Sequence, residues 1–260
     1  MKTILDRIIE NKQLEVEANK AAIGLSRLKQ SPLFNRTCYN FGEFILNKSG
    51  VIAEFKRKSP SKGIINPDAL VAEVTKGYEN AGASAVSVLT DTSFFGGTNN
   101  DLLIARAQIS IPILRKDFII DTFQIIEAKA IGADVILLIA ACLTVKQCKE
   151  LAAFAKDLGL NVFLELHTEA ELEYINQNID VVGINNRNLK TFEVDIQNSL
   201  RLSSLLPADM VKVAESGISN PEIIKTFKEG GFKGFLIGEN FMKTDNPELA
   251  CSNFIKAING

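Results

Sequence analysis

Val51-Ile52-Ala53-Glu54-Phe55-Lys56 is a short apolar run that closes on two opposite charges. Successive side chains of a strand point to opposite faces, so Ile52, Glu54 and Lys56 share one face while Val51, Ala53 and Phe55 share the other. A buried row that ends in charge suits a strand whose far end opens on a polar mouth. Further apolar runs follow at Ala85–Leu89, Pro112–Leu114, Asp134–Ile139, Asn161–Glu165, Val181–Ile184, Val211–Ala214 and Gly234–Ile237. They recur roughly every 20 to 35 residues, the length of one strand plus a returning helix, which predicts about eight β/α units.

The intervening segments carry helix punctuation. Asn66-Pro67, Asn220-Pro221 and Asn246-Pro247 each set a capping side chain before a proline suited to the first helical position. Thr168 with Glu171 reads as a capping box, and Gly82, Gly132 and Gly159 stand where helices should stop. Parallel strands at this even spacing close more naturally into a barrel than into an open doubly wound sheet, and no G-x-G-x-x-G follows the first run. The expected fold is α/β: a single (β/α)8 TIM barrel over residues 51–260, in one domain spanning 1–260, behind an N-terminal helical extension of about 50 residues. Within the extension Thr3–Lys20 reads as an amphipathic helix with Ile4, Ile8 and Ile9 near one face, and Phe41–Leu46 as another. Capping the barrel's bottom and reaching its top are both open to them.

Composition narrows the function classes. Apolar residues make up 46% of the chain and charged residues 23%, the balance of a soluble globular protein. The net charge is −2 and the basic residues are dispersed among acidic ones, so a small ligand is expected and a nucleic acid is not. Charges interrupt the first apolar stretch, and no run approaches the ~18 apolar residues of a membrane span, so a cytoplasmic protein with no membrane partner is expected. Four scattered cysteines, Cys38, Cys142, Cys148 and Cys251, and one histidine predict neither a disulfide framework nor a metal site. No surplus apolar stripe marks the outer helices, which favours a monomer.

Active sites of such barrels form at the C-terminal ends of the strands. The inward parity of the first run carries Glu54 and Lys56, and that of the third carries Lys116 with Leu114. The fifth carries Glu165 with Phe163, the sixth Asn185 with Val181 and Gly183, and the seventh Glu215 with Val211 and Val213. Any one of these could be an ordinary solvated strand end. Structural charges have no reason to choose the same end and the same parity on several strands, whereas a catalytic centre assembled from strand ends requires it. Ser216-Gly217 and Gly238-Glu239 after the last two runs bring backbone amides where such barrels bind phosphate. His167, just before the capping Thr168, reads as helix-entry packing or a surface group and is left out of the chemistry. Phe94-Phe95-Gly96-Gly97 is either loop packing or an aromatic wall for a planar substrate.

These residues resemble a known family. Ile52-Ala53-Glu54-Phe55-Lys56-Arg57-Lys58-Ser59-Pro60-Ser61 is similar to the signature of indole-3-glycerol-phosphate synthases. Leu114-Arg115-Lys116-Asp117-Phe118-Ile119, Gly183-Ile184-Asn185-Asn186-Arg187-Asn188-Leu189, Ala214-Glu215-Ser216-Gly217-Ile218 and Leu236-Ile237-Gly238-Glu239 match in family order, so the likeness runs over essentially the whole chain. Asn188 departs from the aspartate common there, outside the mouth parity.

The resemblance implies a carboxy-lyase of tryptophan biosynthesis acting on 1-(2-carboxyphenylamino)-1-deoxyribulose 5-phosphate, with no cofactor. It implies Lys116 as the general acid of ring closure and Lys56 as the cation on carboxylate or phosphate. Glu165 is implied as a base, Glu54 as its partner or as the orienter of the lysines, and Asn185 as a hydroxyl fixer. Ser216, Gly217, Gly238 and Glu239 would hold phosphate, while Ser59, Phe94, Phe118, Arg187, Leu189 and Glu215 would contact substrate. The charged stretch from Arg57 to Gly63 has the composition of a lid. Rival readings are a phosphosugar isomerase, a Schiff-base aldolase using Lys116 or Lys56, and a non-catalytic phosphate-ligand sensor; the last predicts loss of the acid–base groups, which are all present.

Overall fold

In the computed structural model, which describes residues 2–188 and 193–259, eight parallel strands close into a barrel. They are β1 (Val51–Phe55), β2 (Ala85–Leu89), β3 (Ile113–Lys116), β4 (Val135–Ile139), β5 (Asn161–Leu166), β6 (Val181–Asn185), β7 (Val211–Glu215) and β8 (Gly234–Ile237). Closure is made by β8 returning to β1 in the register Val51↔Phe235, Ile52↔Leu236, Ala53↔Ile237. The expected runs and the strands agree to within a residue or two, and the period of two holds. Ile52, Leu114, Phe163, Val181, Val213 and Leu236 fill the barrel, while Val51, Ala53, Phe55, Val86 and Val88 face the surrounding helices.

The returning layer is formed by α4 (Val71–Asn80), α6 (Asn99–Gln108), α7 (Thr122–Ala130), α8 (Val145–Asp157), α9 (Ile196–Leu205), α10 (Ile223–Glu229) and α12 (Pro247–Asn259), with short α5 (Thr92–Phe95) and α11 (Glu239–Met242) in loops at the mouth. After β5 the layer thins to a 3-10 turn, Glu169–Tyr174, opened by the Thr168–Glu171 capping box. Gly82, Gly132 and Gly159 adopt φ of 94°, 92° and 72° just past their helices, the left-handed stop the sequence predicts.

Of the three Asn-Pro starts, Asn246 caps α12 by accepting from the amide of Leu249 at 2.7 Å. The other two correct the expectation. Asn66 donates to the Met242 carbonyl at 3.2 Å while α4 begins later, at Val71. Asn220 accepts from the Glu222 amide at 3.0 Å in a turn that precedes Ile223. In both, the asparagine finds a partner before the helix begins.

The N-terminal extension serves both ends of the barrel. Past the short α2 (Leu25–Lys29), α3 (Phe41–Asn47) sends Phe41 and Ile45 into the barrel's interior cluster from below, with the Phe41 ring 5.9 Å from that of Phe163. Asp134, just before β4, fixes this lower side by accepting from Arg36 at 2.7 Å, Arg106 at 2.9 Å and the amides of Tyr39 and Ile113, each at 2.8 Å. By contrast α1 (Ile4–Ala22) crosses the mouth, held by Lys12. The Lys12 ammonium is fully buried, 3.1 Å from Asp91 and 2.9 Å from Asp117.

Candidate active site

A cavity of about 530 Å³ opens at the C-terminal ends of the strands, a size suited to a small ligand. Two ion-paired groups stand in it. Lys56, just past β1, lies 2.6 Å from Glu54 Oε1. Lys116, at the end of β3, lies 2.9 Å from Glu165 Oε2 on β5 and 2.7 Å from Glu215 Oε2 on β7. Asn185 of β6 donates its amide to Glu165 Oε1 at 2.9 Å and accepts from the Arg187 amide at 3.0 Å.

Two glycines make room for these carboxylates. A Cβ on Gly183 would collide with Glu215 Oε1 and the Phe163 ring, and one on Gly238 would collide with Glu54 Oε1. Ser216 and Gly217 follow β7 with φ of 67° and 70°. Ser216 is the one described non-glycine residue in the left-handed region, a conformation that costs about 1 kcal/mol or more and concentrates at functional sites.

The carboxylates beside Lys116 are not equivalent. Burial pushes the Glu165 carboxyl up, but the Lys116 ammonium, His167 and the Asn185 amide together hold it well below the usual carboxylate range. Burial also pushes Glu215 up; Lys116 opposes this, the negative charges of Glu165 and Glu54 reinforce it, and the result is about 7. Its Oε1 is buried without a hydrogen-bond partner. Burial disfavours the Lys116 ammonium, yet Glu165, Glu215 and Glu54 outweigh that and raise its pKa above that of an ordinary lysine. The site therefore holds a firmly protonated lysine between a carboxylate and a group poised to carry a proton near neutral pH.

An apolar wall faces these charges. Phe95 and Phe118 line the cavity with ring centroids 6.0 Å apart, and Ile4, Leu5 and Ile8 of α1 cover it. The opposite rim carries Ser216, Gly217, Gly238 and Asn240 together with Lys62, Arg187 and Lys243. Glu239 sits among these cations, 3.4 Å from Lys62 and 3.8 Å from Arg187. One end thus suits a flat ring, the other an anion, and the acid–base groups lie between.

A family model described as "Indole-3-glycerol phosphate synthase" matches residues 5–254. The indole-3-glycerol phosphate synthase of Bacteroides thetaiotaomicron is 51% identical over 259 residues, covering 99% of this chain and 100% of the relative. The chain belongs to the indole-3-glycerol phosphate synthase family. The synthase of Polynucleobacter asymbioticus is 43% identical, over 97% of this chain and 98% of the relative. Among solved structures, the tryptophan synthase alpha chain from Legionella pneumophila superposes with a TM-score of 0.62 at 14% identity, over 85% of this chain and 96% of that one. Thiamine phosphate pyrophosphorylase from Pyrococcus furiosus does so at 0.59 and 15%, over 80% and 94%. At these identities the likeness is one of fold.

Of the residues that family resemblance singles out, Glu54, Lys56, Ser59, Lys116, Phe118, Glu165, Asn185, Arg187, Glu215, Ser216, Gly217, Gly238 and Glu239 all line the cavity. Phe94 does not; Phe95 takes the aromatic place, because Asp91 accepts from the amides of both residues and winds the short α5 that faces Phe95 inward. Leu189 lies outside the described residues. The stretch read as a lid is a small hairpin, Lys58–Ser59 against Gly63–Ile64, tied down by Arg57 to Asp101 at 2.9 and 3.0 Å and by Lys58 to the Ser93 carbonyl at 2.8 Å. Sequence reasoning did not assign Leu5, Lys62 or Lys243 to the site and left open whether Ile4 and Ile8 reach it, whereas all five line the cavity; His167, left out of the chemistry, is not among the lining residues. His167 stands 3.2 Å from Glu165, and its inward parity, two residues beyond Glu165, was the available signal.

Proposed function

We propose that the protein uses this cavity to convert 1-(2-carboxyphenylamino)-1-deoxyribulose 5-phosphate into indole-3-glycerol phosphate, carbon dioxide and water, the carboxy-lyase reaction of its family in tryptophan biosynthesis. The observation that carries the reading is the Lys116 ammonium, held at 2.9 and 2.7 Å by Glu165 and Glu215 on the cavity floor.

In the proposed sequence the anthranilate ring lies against Phe95 and Phe118, and the phosphate lies at Ser216, Gly217 and Gly238. Lys116 donates its proton to the ketone oxygen as the ring carbon bearing the carboxylate attacks the ketone carbon. The new carbon–carbon bond closes the five-membered ring, and the carboxylate, faced by Lys56, leaves as carbon dioxide, its electron pair restoring the aromatic ring. Dehydration follows. Glu165 takes the ring N–H proton as hydroxide departs as water with a proton from the Lys56–Glu54 pair, and transfer of one proton from the adjacent ring CH2 back to the nitrogen completes the aromatic indole. Asn185 fixes a substrate hydroxyl. A Schiff-base aldolase fits less well, because a lysine held protonated by neighbouring carboxylates is a poor nucleophile.

The same reading makes the enzyme a cytoplasmic monomer. No described helix is long and apolar enough to cross a membrane. The test is to supply the purified protein with the carboxyphenylamino-deoxyribulose phosphate and follow indole fluorescence with carbon dioxide release. Product without carbon dioxide would identify an isomerase instead, and lysine trapped by borohydride an aldolase.

A further inference from the structure

His167 is left over from this chemistry. It follows β5 directly, on the inward row of Phe163 and Glu165, and its side chain is only 9% exposed. Nε2 stands 3.2 Å from Glu165 Oε1, yet neither ring nitrogen makes a directed hydrogen bond. Buried polar groups without such a bond are uncommon and call for a reason.

The residue's backbone is pinned from two sides. Glu171 accepts from the amides of His167 at 2.5 Å and Thr168 at 2.9 Å, and Asn198 of α9 donates to the His167 carbonyl at 3.1 Å. The main chain that carries the ring is therefore fixed beside Glu165, and burial leaves the ring little room to turn away. The charged groups around it are Glu165 and Glu215 from the strand ends, Glu171 from the 3-10 turn at 3.9 Å from Nδ1, and Lys116 beyond Glu165. Burial disfavours a charged imidazole, but the three carboxylates outweigh it and favour the cation.

Glu165 Oε1 has two neighbours, the Asn185 amide at 2.9 Å and His167. An asparagine that turns its amide to a substrate hydroxyl leaves that oxygen, and the imidazole is already in place to hold it. We propose that His167 is a positioning residue for Glu165: its ring, 3.2 Å from Oε1, keeps that oxygen aimed at the ring N–H while Asn185 serves the substrate. This rests on Glu165 being the base of the dehydration step.

The test compares the wild type with His167→Met, His167→Gln, Glu165→Gln and the double variant His167→Met/Glu165→Gln, by steady-state kinetics across pH. His167→Met is expected to lower kcat about tenfold or more with KM within about threefold. The acid limb of kcat moves to higher pH, because Glu165 loses a cation. His167→Gln, which restores a donor, recovers part of kcat, and the double variant is no slower than Glu165→Gln alone. A His167→Met enzyme within about twofold of wild type, or one slowed with its acid limb unmoved, overturns the proposal. So does a double variant slowed by the same further factor as the single. Should His167→Met not fold, His167→Gln decides by the same two readouts, kcat and the acid limb. Glu165→Gln at the wild-type rate would instead remove the base assignment itself, an outcome distinct from a slow Glu165→Gln beside a fast His167→Met.

Discussion

Lys12→Met should show how far the extension belongs to the site. The Lys12 ammonium is fully buried between Asp91 and Asp117, whose side chains are also fully buried. Methionine keeps the volume and removes the cation. Breaking a buried ion pair costs about 3–5 kcal/mol, because the remaining charge is left uncompensated. Arg115, 3.2 Å from Asp117, compensates that carboxylate in part, so Asp91 bears most of the loss. For 260 residues, an unfolding entropy of about 2.1 cal/mol/K per residue turns that cost into a Tm lower by roughly 6–9 °C. The functional effect follows from what the two carboxylates hold. Asp91 winds the helix that presents Phe95, Asp117 adjoins Lys116, and α1 lays Ile4, Leu5 and Ile8 over the cavity. Loosening α1 should raise KM about tenfold, the worth of burying one or two methylenes, and change kcat less.

The pH dependence has a definite sign. Burial raises the Asp117 carboxyl, but Lys12 first, then Arg115 and Thr90, bring it below its ordinary 3.8. Its contribution to stability is present above that pH and is lost as pH falls through the lower folded value. The Tm gap between wild type and Lys12→Met should therefore be widest near neutrality and narrow below pH ~4. Thermal unfolding across pH, with kinetics at saturating and limiting substrate, measures both. A Tm within a degree or so of wild type together with an unchanged KM would refute the reasoning.

Gly238→Ala forces Glu54 from its place beside Lys56, so kcat should fall about tenfold or more with little change in Tm, as steady-state kinetics beside a melting curve will show. Phe41→Ala opens a void under Phe163; denaturant unfolding should report a loss of about 3–5 kcal/mol while kcat at 25 °C is kept. Glu215 has its carboxyl raised from 4.5 to about 7, so the folded state binds the extra proton and stability declines as pH rises through that window. Glu215→Gln should remove that segment of slope from a plot of stability against pH.

The strand-end residues were legible because a strand's period of two assigns each side chain to a face, and Glu54, Lys116, Glu165, Asn185 and Glu215 obey it. His167 obeys it as well, but the adjacent capping Thr168 drew it into the reading of the next element. Phe95 was not separable from Phe94, since a loop has no period and only the turn at Asp91 decides which ring faces inward. Lys12 was hidden for another reason. A lysine on a helix reads as solvated unless its partners are known, and Asp91 and Asp117 come to it only when the barrel closes. The same distance in sequence hid the division of the extension between mouth and floor. The family, by contrast, was legible from the motifs around the strand ends.

The central claim is that Lys116, protonated and clasped by Glu165 and Glu215, is the acid that closes the indole ring. Its most direct test is Lys116→Ala assayed in a single turnover with the carboxyphenylamino-deoxyribulose phosphate, alongside binding of the same compound. The account predicts that ring closure slows by about two to four orders of magnitude while substrate still binds within a few-fold of wild type. Ring closure at the wild-type rate would contradict it.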